Sequence, residues 1–107
     1  MNNSSLGFKN GDLETIVQTI SKFPEIKRAV IFGSRAKGSY RAGSDVDIAV
    51  WAINNDVTGQ LSGILNDEIL LPYKFDVLNY DKIDNEELKE QIKQAGIGIY
   101  QKQPQDQ

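Results

Sequence analysis

The feature that most constrains the fold is the segment DVDIAV, residues 45–50, in which two carboxylates alternate with apolar residues. Residues two apart in a β-strand point to the same face of a sheet. Asp45 and Asp47 would therefore share one face, and Val46 and Ile48 would share the other. Because an unpartnered buried carboxylate is costly, the polar face needs something that binds it. The segment predicts a strand with one face in a core and two converging carboxylates on the other.

The rest of the chain alternates between helical and strand patterns. Apolar residues at helical spacing predict helices, the first with Asp12 as its N-cap and the last with Gly96 as the C′ residue that ends it. The predicted helices are 12–22, 57–70 and 84–95. The predicted strands are 27–34, 45–53, 73–80 and a short edge strand within GIGIY, 96–100. Residues 35–44 read as a loop, with at most one helical turn.

The order of these elements predicts an α/β fold in a single two-layer domain, with a small mixed β-sheet packed against helices. A chain of 107 residues suits one domain of this kind. We expect a polar N-terminal segment at 1–11, the folded domain at 12–101 and a flexible tail at 102–107. The N-terminus does not resemble a signal peptide, and no apolar run is long enough to span a membrane, so a cytoplasmic protein without membrane contact is expected.

The composition limits the available chemistry. The chain has no histidine and no cysteine, which excludes imidazole bases, thiol nucleophiles and zinc thiolate sites. Its formal net charge of −3 argues against non-specific binding of long nucleic acid, which needs many basic contacts to phosphate. Carboxylate, hydroxyl and amine chemistry remains, together with a local site for a small phosphate ligand.

A third acid, Asp76, lies in another apolar strand, KFDVL. Neighbouring carboxylates repel one another unless a cation sits between them, and without His or Cys the natural cation is Mg²⁺. Asp45, Asp47 and Asp76 on adjacent strands could hold two Mg²⁺ ions, with the third acid also accepting a proton from an attacking hydroxyl. A lone Asp-x-Asp is expected about once by chance in such a chain, and its ordinary interpretation is a pair of exposed or capping residues.

The loop before the carboxylates has the features of a phosphate site. Gly33 lets the backbone approach a phosphate closely, and Ser34 can donate hydrogen bonds to it. Basic side chains in the same loop would supply counter-charge, although each could equally be a solvated surface residue. The predicted nucleotide-binding residues are Gly33, Ser34, Arg35, Lys37, Arg41 and Ser44.

Three motifs together carry a family resemblance: GSRAKGSYRAGSDVDIAV, KFDVLNY and EQIKQAGIGIY. Ten residues separate Ser34 from Asp45. Over roughly residues 12–101 the chain resembles the DNA polymerase β-like nucleotidyltransferase superfamily, and within it the minimal nucleotidyltransferases, or MNT proteins. The resemblance implies that Asp45 and Asp47 bind the metal ions and the nucleoside triphosphate, most simply ATP. It further implies that Asp76 completes the site, and that Gly33 and Ser34 hold the phosphates.

The resemblance also implies a partner. MNT proteins are commonly encoded beside a small helical HEPN protein, in pairs that resemble toxin–antitoxin systems. There the MNT chain transfers AMP to a tyrosine of the HEPN ribonuclease and silences it. A second chain that supplies the acceptor is consistent with the few residues left after Asp76 for recognising one. Either a homodimer or a heterocomplex is compatible with the sequence.

Two other functions stay open at this point. The chain could be a non-catalytic binding module that neutralises its partner by complex formation. It could also transfer a nucleotide to a small molecule, as aminoglycoside nucleotidyltransferases do, but those carry an additional helical domain. Trp51 and the other aromatic residues are interpreted as core or interface residues rather than base-stacking ones.

Overall fold

The computed structural model describes residues 6–9, 11–41 and 43–103. Its helices are α1 (Asp12–Ser21), α2 (Ser34–Lys37), α3 (Thr58–Gly63, continued by a π-helical turn at Ile64–Glu68) and α4 (Glu86–Ala95). Its strands are β1 (Ile26–Phe32), β2 (Val46–Ala52), β3 (Phe75–Asn79) and β4 (Ile97–Gln101), with a 3-10 turn at Tyr80–Lys82 after β3. Each predicted helix and strand is present with small shifts at its ends, and α2 is the single helical turn expected in the loop.

The four strands form one mixed sheet in the order β3-β2-β1-β4. β1 is antiparallel to both β2 and β4, and β2 runs parallel to β3. The end of β1 therefore meets the beginnings of β2 and β3 at one edge of the sheet. At that edge Phe32 pairs with Asp47, and Asp47 pairs with Asp76. This register brings together residues that lie far apart in the chain.

The first core lies between the sheet and the helices α1 and α3. Alternate residues of the strands point into it, as their period of two requires. Its buried residues are Leu6, Phe8, Ile16, Ile20, Ile26, Ala29, Ile31, Val46, Ile48, Val50, Val57, Leu61, Leu65 and Phe75. The predicted packing of a small mixed sheet against helices is confirmed here.

A second core covers part of the opposite face of the sheet. It consists of Val30, Phe32, Ala49, Tyr80 and Ile92, with Trp51 and Leu88 packed against it. Ile92 and Leu88 come from α4, so this helix adds a layer that the two-layer prediction did not include. The physical reason is that the middle of β1 is apolar on both faces, and such a strand is buried on both sides.

Two helix ends differ from the prediction. The N-cap of α1 is Gly11, with φ 86°, and Asp12 is the first helical residue, whose carboxylate accepts a hydrogen bond from the Tyr73 hydroxyl at 2.7 Å. Gly96 ends α4 with φ −68° and ψ 146°, an extended conformation and not the left-handed one expected of a C′ glycine. Glycine is needed there because a Cβ atom would collide with the carbonyl oxygen of Ile92.

The described residues just before α1 belong in part to the fold. Leu6 and Phe8 are 1% and 8% exposed and lie in the first core, although the sequence pattern predicts residues 1–11 as a polar segment outside the domain. The reason is that these two apolar residues pack in the core next to Arg35, whose guanidinium lies over the Phe8 ring and donates to the Leu6 carbonyl. The remaining predictions for 1–5, 10 and 104–107 lie outside the described residues. Within the described ranges, no helix has both the length and the apolar character that crossing a membrane requires.

Candidate active site

The site edge begins where β1 turns into α2 at Gly33. Gly33 has φ 77° and ψ −150°, a conformation that is essentially restricted to glycine. A Cβ atom on Gly33 would overlap the Oδ2 atom of Asp47. The missing side chain therefore lets the backbone come against a carboxylate, the kind of close approach for which glycine is used.

Asp47 lies at the centre of this edge. Its neighbours Val46 and Ile48 are fully buried in the first core, so Asp47 points to the other face, beside its register partner Asp76. Burial raises the pKa of Asp47, and the negative charges of Asp76 and Asp45 raise it further. Three carboxylates thus share one electrostatic environment, and proton or cation binding would relieve their repulsion.

The donor set suits a hard cation. Asp45, Asp47 and Asp76 offer only oxygen ligands, as Mg²⁺ prefers, and the charges of Asp76 and Asp45 add to burial in raising the pKa of Asp47. In this structure no three acidic side chains of residues 6–9, 11–41 and 43–103 are close enough together to enclose one ion. Asp45 is exposed in the loop before β2, whereas Asp47 and Asp76 are held side by side within the sheet.

Ser34 and Lys37 both lie on the short helix α2. Ser34 is half-buried and follows Gly33 directly, which puts it at the same edge as the carboxylates. Lys37 is exposed in the last turn of α2, and its backbone N–H donates to the carbonyl of Gly33 at 3.1 Å. The structure therefore brings Gly33, Asp47 and Asp76 together, with Ser34 next in the chain after Gly33 and Lys37 on the solvent side.

Arg35 is placed differently from the other predicted phosphate contacts. It is 3% exposed, and its guanidinium donates to the carbonyl oxygens of Leu6 at 2.9 Å and Ser44 at 3.0 Å. Its charge lies 5.0–5.5 Å from the ring centroids of Phe8, Tyr40 and Tyr73. These contacts assign Arg35 to joining the N-terminal segment to the loop before β2, and they leave a direct phosphate contact without support.

Arg41 and Ser44 form the turn that leads into Asp45. The Ser44 hydroxyl accepts a hydrogen bond from the Arg41 backbone N–H at 2.8 Å, and the Ser44 N–H donates to the Arg41 carbonyl at 2.9 Å. The side chain of Ser44 is thus engaged in shaping the loop. The Arg41 side chain is exposed, and it lines a cavity together with Arg35.

Asn66 is a site residue that the sequence pattern did not reveal. Its side chain accepts from the Phe75 N–H at 2.8 Å and donates to the Phe75 carbonyl at 3.0 Å. This pair of bonds ties the π-helical turn after α3 to the residue that precedes Asp76. Asn66 therefore positions the third carboxylate. A polar residue in a helix gives no hint that its partner is the start of a strand nine residues later.

Replacing Arg35 with lysine is expected to destabilise the fold by about 1–3 kcal/mol, because an ammonium group cannot span the two carbonyls that the planar guanidinium joins. Chemical denaturation followed by circular dichroism measures the change. Arg41→Lys, a change of the same kind at an exposed side chain, should stay within about 0.5 kcal/mol of the wild type. Equal stability of all three proteins would contradict the structural role of Arg35.

Comparison with known proteins identifies the class to which this fold and site belong. Residues 14–105 match the family described as "Polymerase beta, Nucleotidyltransferase". The chain is a member of this polymerase β-like nucleotidyltransferase family. No curated protein matches the sequence significantly.

Solved structures of toxin–antitoxin complexes contain chains with the same fold. One, of a toxin–antitoxin with AMP-PNP, aligns with a TM-score of 0.69 at 23% identity, over 86% of this chain and 75% of the other. An MntA–HepT toxin–antitoxin gives a TM-score of 0.63 at 19% identity, over 88% and 74% of the two chains. A tri-AMPylated Shewanella oneidensis HEPN toxin in complex with an MNT antitoxin gives 0.60 at 20% identity, over 84% and 70%. At these identities the likeness establishes a shared fold.

Proposed function

We propose that this chain transfers AMP from ATP to a tyrosine hydroxyl of a helical HEPN-type partner and acts as the antitoxin of a toxin–antitoxin pair. In the reaction the hydroxyl oxygen bonds to the α-phosphorus of ATP. The bond from that phosphorus to the β-phosphate bridging oxygen breaks, and pyrophosphate leaves. The hydroxyl proton passes to a carboxylate, for which Asp76 is the candidate.

The observation that carries the proposal is the contact between Gly33 and Asp47 beside Asp76. A backbone that approaches a carboxylate pair this closely can hold phosphate oxygens and their counter-ion together, as nucleotidyl transfer requires. Ser34 and Lys37, on α2 next to Gly33, are the side chains proposed to contact the β- and γ-phosphates. Membership of the nucleotidyltransferase family supports this assignment.

Asp45, Asp47 and Asp76 are the residues that would hold Mg²⁺. Bound there, the ion would neutralise the triphosphate and make the α-phosphorus more electrophilic. The carboxylates also have a role of their own, because their position at the sheet edge orients the nucleotide relative to the Gly33–Ser34 turn. Asn66 supports this by holding the backbone before Asp76.

The partner and the donor nucleotide are proposed from the solved structures of similar fold. One of those contains AMP-PNP, and another contains a HEPN toxin that carries three AMP groups in complex with an MNT antitoxin.

The test is an intact-mass measurement on the proposed HEPN-type partner. The two proteins are incubated with Mg²⁺ and each of the four nucleoside triphosphates in turn, and Asp45→Asn/Asp47→Asn serves as the inactive control. We expect the partner to gain the mass of one or more AMP groups with ATP alone, and to gain none with the control. Peptide mapping then locates the modified tyrosine.

If the partner gains no mass with any nucleotide but still forms a stable complex with this chain, the proposal of nucleotidyl transfer is wrong. The chain would then neutralise its partner by binding alone. Modification of a small-molecule alcohol and not of the partner would assign the chain to small-molecule transferases. Mass gain in the double variant would show that the carboxylates do not carry the reaction.

A further inference from the structure

A cavity lined by basic side chains lies near the same edge of the sheet, on the side of α1 and α3. A cavity of about 240 Å³ is lined by residues that include Lys9, Arg35, Tyr40, Arg41 and Tyr73. Phe8 and Tyr73, which lie against Arg35, pack in the first core, on the α1 and α3 side of the sheet. Asp47 and Asp76 point to the other face. The cavity is therefore separate from the pair formed by Asp47 and Asp76.

The buried guanidinium of Arg35 carries a positive charge into this cavity. Among residues 6–9, 11–41 and 43–103, no acid forms an ion pair with it, and its Nε has no hydrogen-bond partner although the side chain is 3% exposed. Asp12 instead accepts a hydrogen bond from Tyr73, whose hydroxyl also accepts from the Lys9 backbone N–H at 3.3 Å. A buried cation without an anionic partner is costly, so the site is predisposed to bind an anion.

The walls of the cavity supply further positive charge. The side chains of Lys9 and Arg41 are exposed at the cavity, and none of the described residues that line it is acidic. The whole chain is acidic, with a formal net charge of −3, so three cations at one cavity are a local concentration of positive charge. Its volume is below the roughly 300–1,000 Å³ of pockets for drug-sized ligands, which favours a small ligand.

We propose that this cavity binds a free phosphate-class anion, either inorganic phosphate or pyrophosphate, as a second site distinct from the proposed nucleotide site. The exposed Arg41 and Lys9 provide the forked and point-charge donors that such anions bind, and the buried charge of Arg35 lies behind them without contacting the anion directly. This inference rests on the proposed function only for the source of the anion, because pyrophosphate is the product that nucleotidyl transfer releases. Binding would act on Ser44, since Arg35 donates to its carbonyl oxygen, and Ser44 directly precedes Asp45.

Isothermal titration of the full chain with pyrophosphate and, separately, with inorganic phosphate tests this proposal. EDTA is present, so the carboxylates cannot hold the anion through a divalent cation. We expect saturable binding of at least one anion to the wild type, weakened about tenfold or more in Lys9→Gln/Arg41→Gln. Both substitutions are at exposed side chains, and circular dichroism verifies that the variant remains folded. The anion that binds more tightly is assigned as the ligand of this cavity.

Two control variants distinguish binding in this cavity from a general effect of surface charge and from binding at the carboxylates. Lys22→Gln/Lys93→Gln removes the same amount of charge from exposed positions elsewhere and should bind as the wild type does. Asp45→Asn/Asp47→Asn should also retain binding, which separates this result from any failure of the transfer reaction. Absence of saturable binding to the wild type, or equal weakening in the lysine control, would overturn the proposal.

Discussion

Asp47→Asn is expected to abolish nucleotidyl transfer, with a rate loss on the order of 10³-fold or more, and to leave the fold intact. Asp47 is the carboxylate that touches the Gly33 turn and pairs with Asp76. An amide is a weaker ligand for a hard cation and cannot neutralise it. The loss corresponds to the several kcal/mol that metal-assisted charge stabilisation contributes. Transfer to the partner, followed by mass spectrometry over time, measures the effect.

Asp47→Asn is expected to leave the thermal stability unchanged or to raise it, although it abolishes activity. Burial and the charges of Asp76 and Asp45 raise the pKa of Asp47, so the folded state disfavours its ionised form. The resulting penalty is absent below the ordinary pKa of an aspartate and develops as the pH rises through the raised value. Near neutral pH, Asp47→Asn should therefore melt at the same temperature as the wild type or higher. Asp67→Asn, at an exposed acid on the π-helical turn, should change neither activity nor melting temperature.

Gly33→Ala is expected to reduce both stability and transfer. The φ of 77° with ψ −150° is available to glycine alone, and forcing a side chain into such a region costs about 1–3 kcal/mol. The added methyl group would also overlap the Asp47 carboxylate and displace it. Because displacements of about 1 Å can cost on the order of 10²-fold in rate, we expect a loss of that size. Thermal melting and the transfer assay together measure both effects.

Gly38→Ala provides a matched control for this prediction. Gly38 also has a positive φ, 82°, but nothing lies within 4 Å of where its Cβ would be. The strain of a left-handed residue should lower its melting temperature modestly, with transfer retained. If Gly33→Ala and Gly38→Ala lost activity equally, the contact between Gly33 and Asp47 would have no special role.

Much of the fold follows from local patterns in the sequence. The alternation around Asp45–Val50 and the helical spacing at Ile16 and Ile20 identify which faces enter the core, because periodicity is a property of a single element. Those elements and the mixed sheet are present in the structure. The burial of Leu6 and Phe8 was not predicted, because two apolar residues in a polar segment do not form a helical or strand periodicity. The layer formed by α4 was missed because a local pattern does not state which face of the sheet a helix covers.

The sequence by itself determined the elements and the family and gave the candidate oxygen-donor residues, since strand alternation and motif spacing are read along the chain. Only the tertiary structure decided which of those residues meet. Strand register put Asp76 beside Asp47 and brought Gly33 against the carboxylate, while Asn66 secured the start of β3. It also separated Arg35 from the other loop residues, because a guanidinium can be buried where three aromatic rings and two carbonyls surround it.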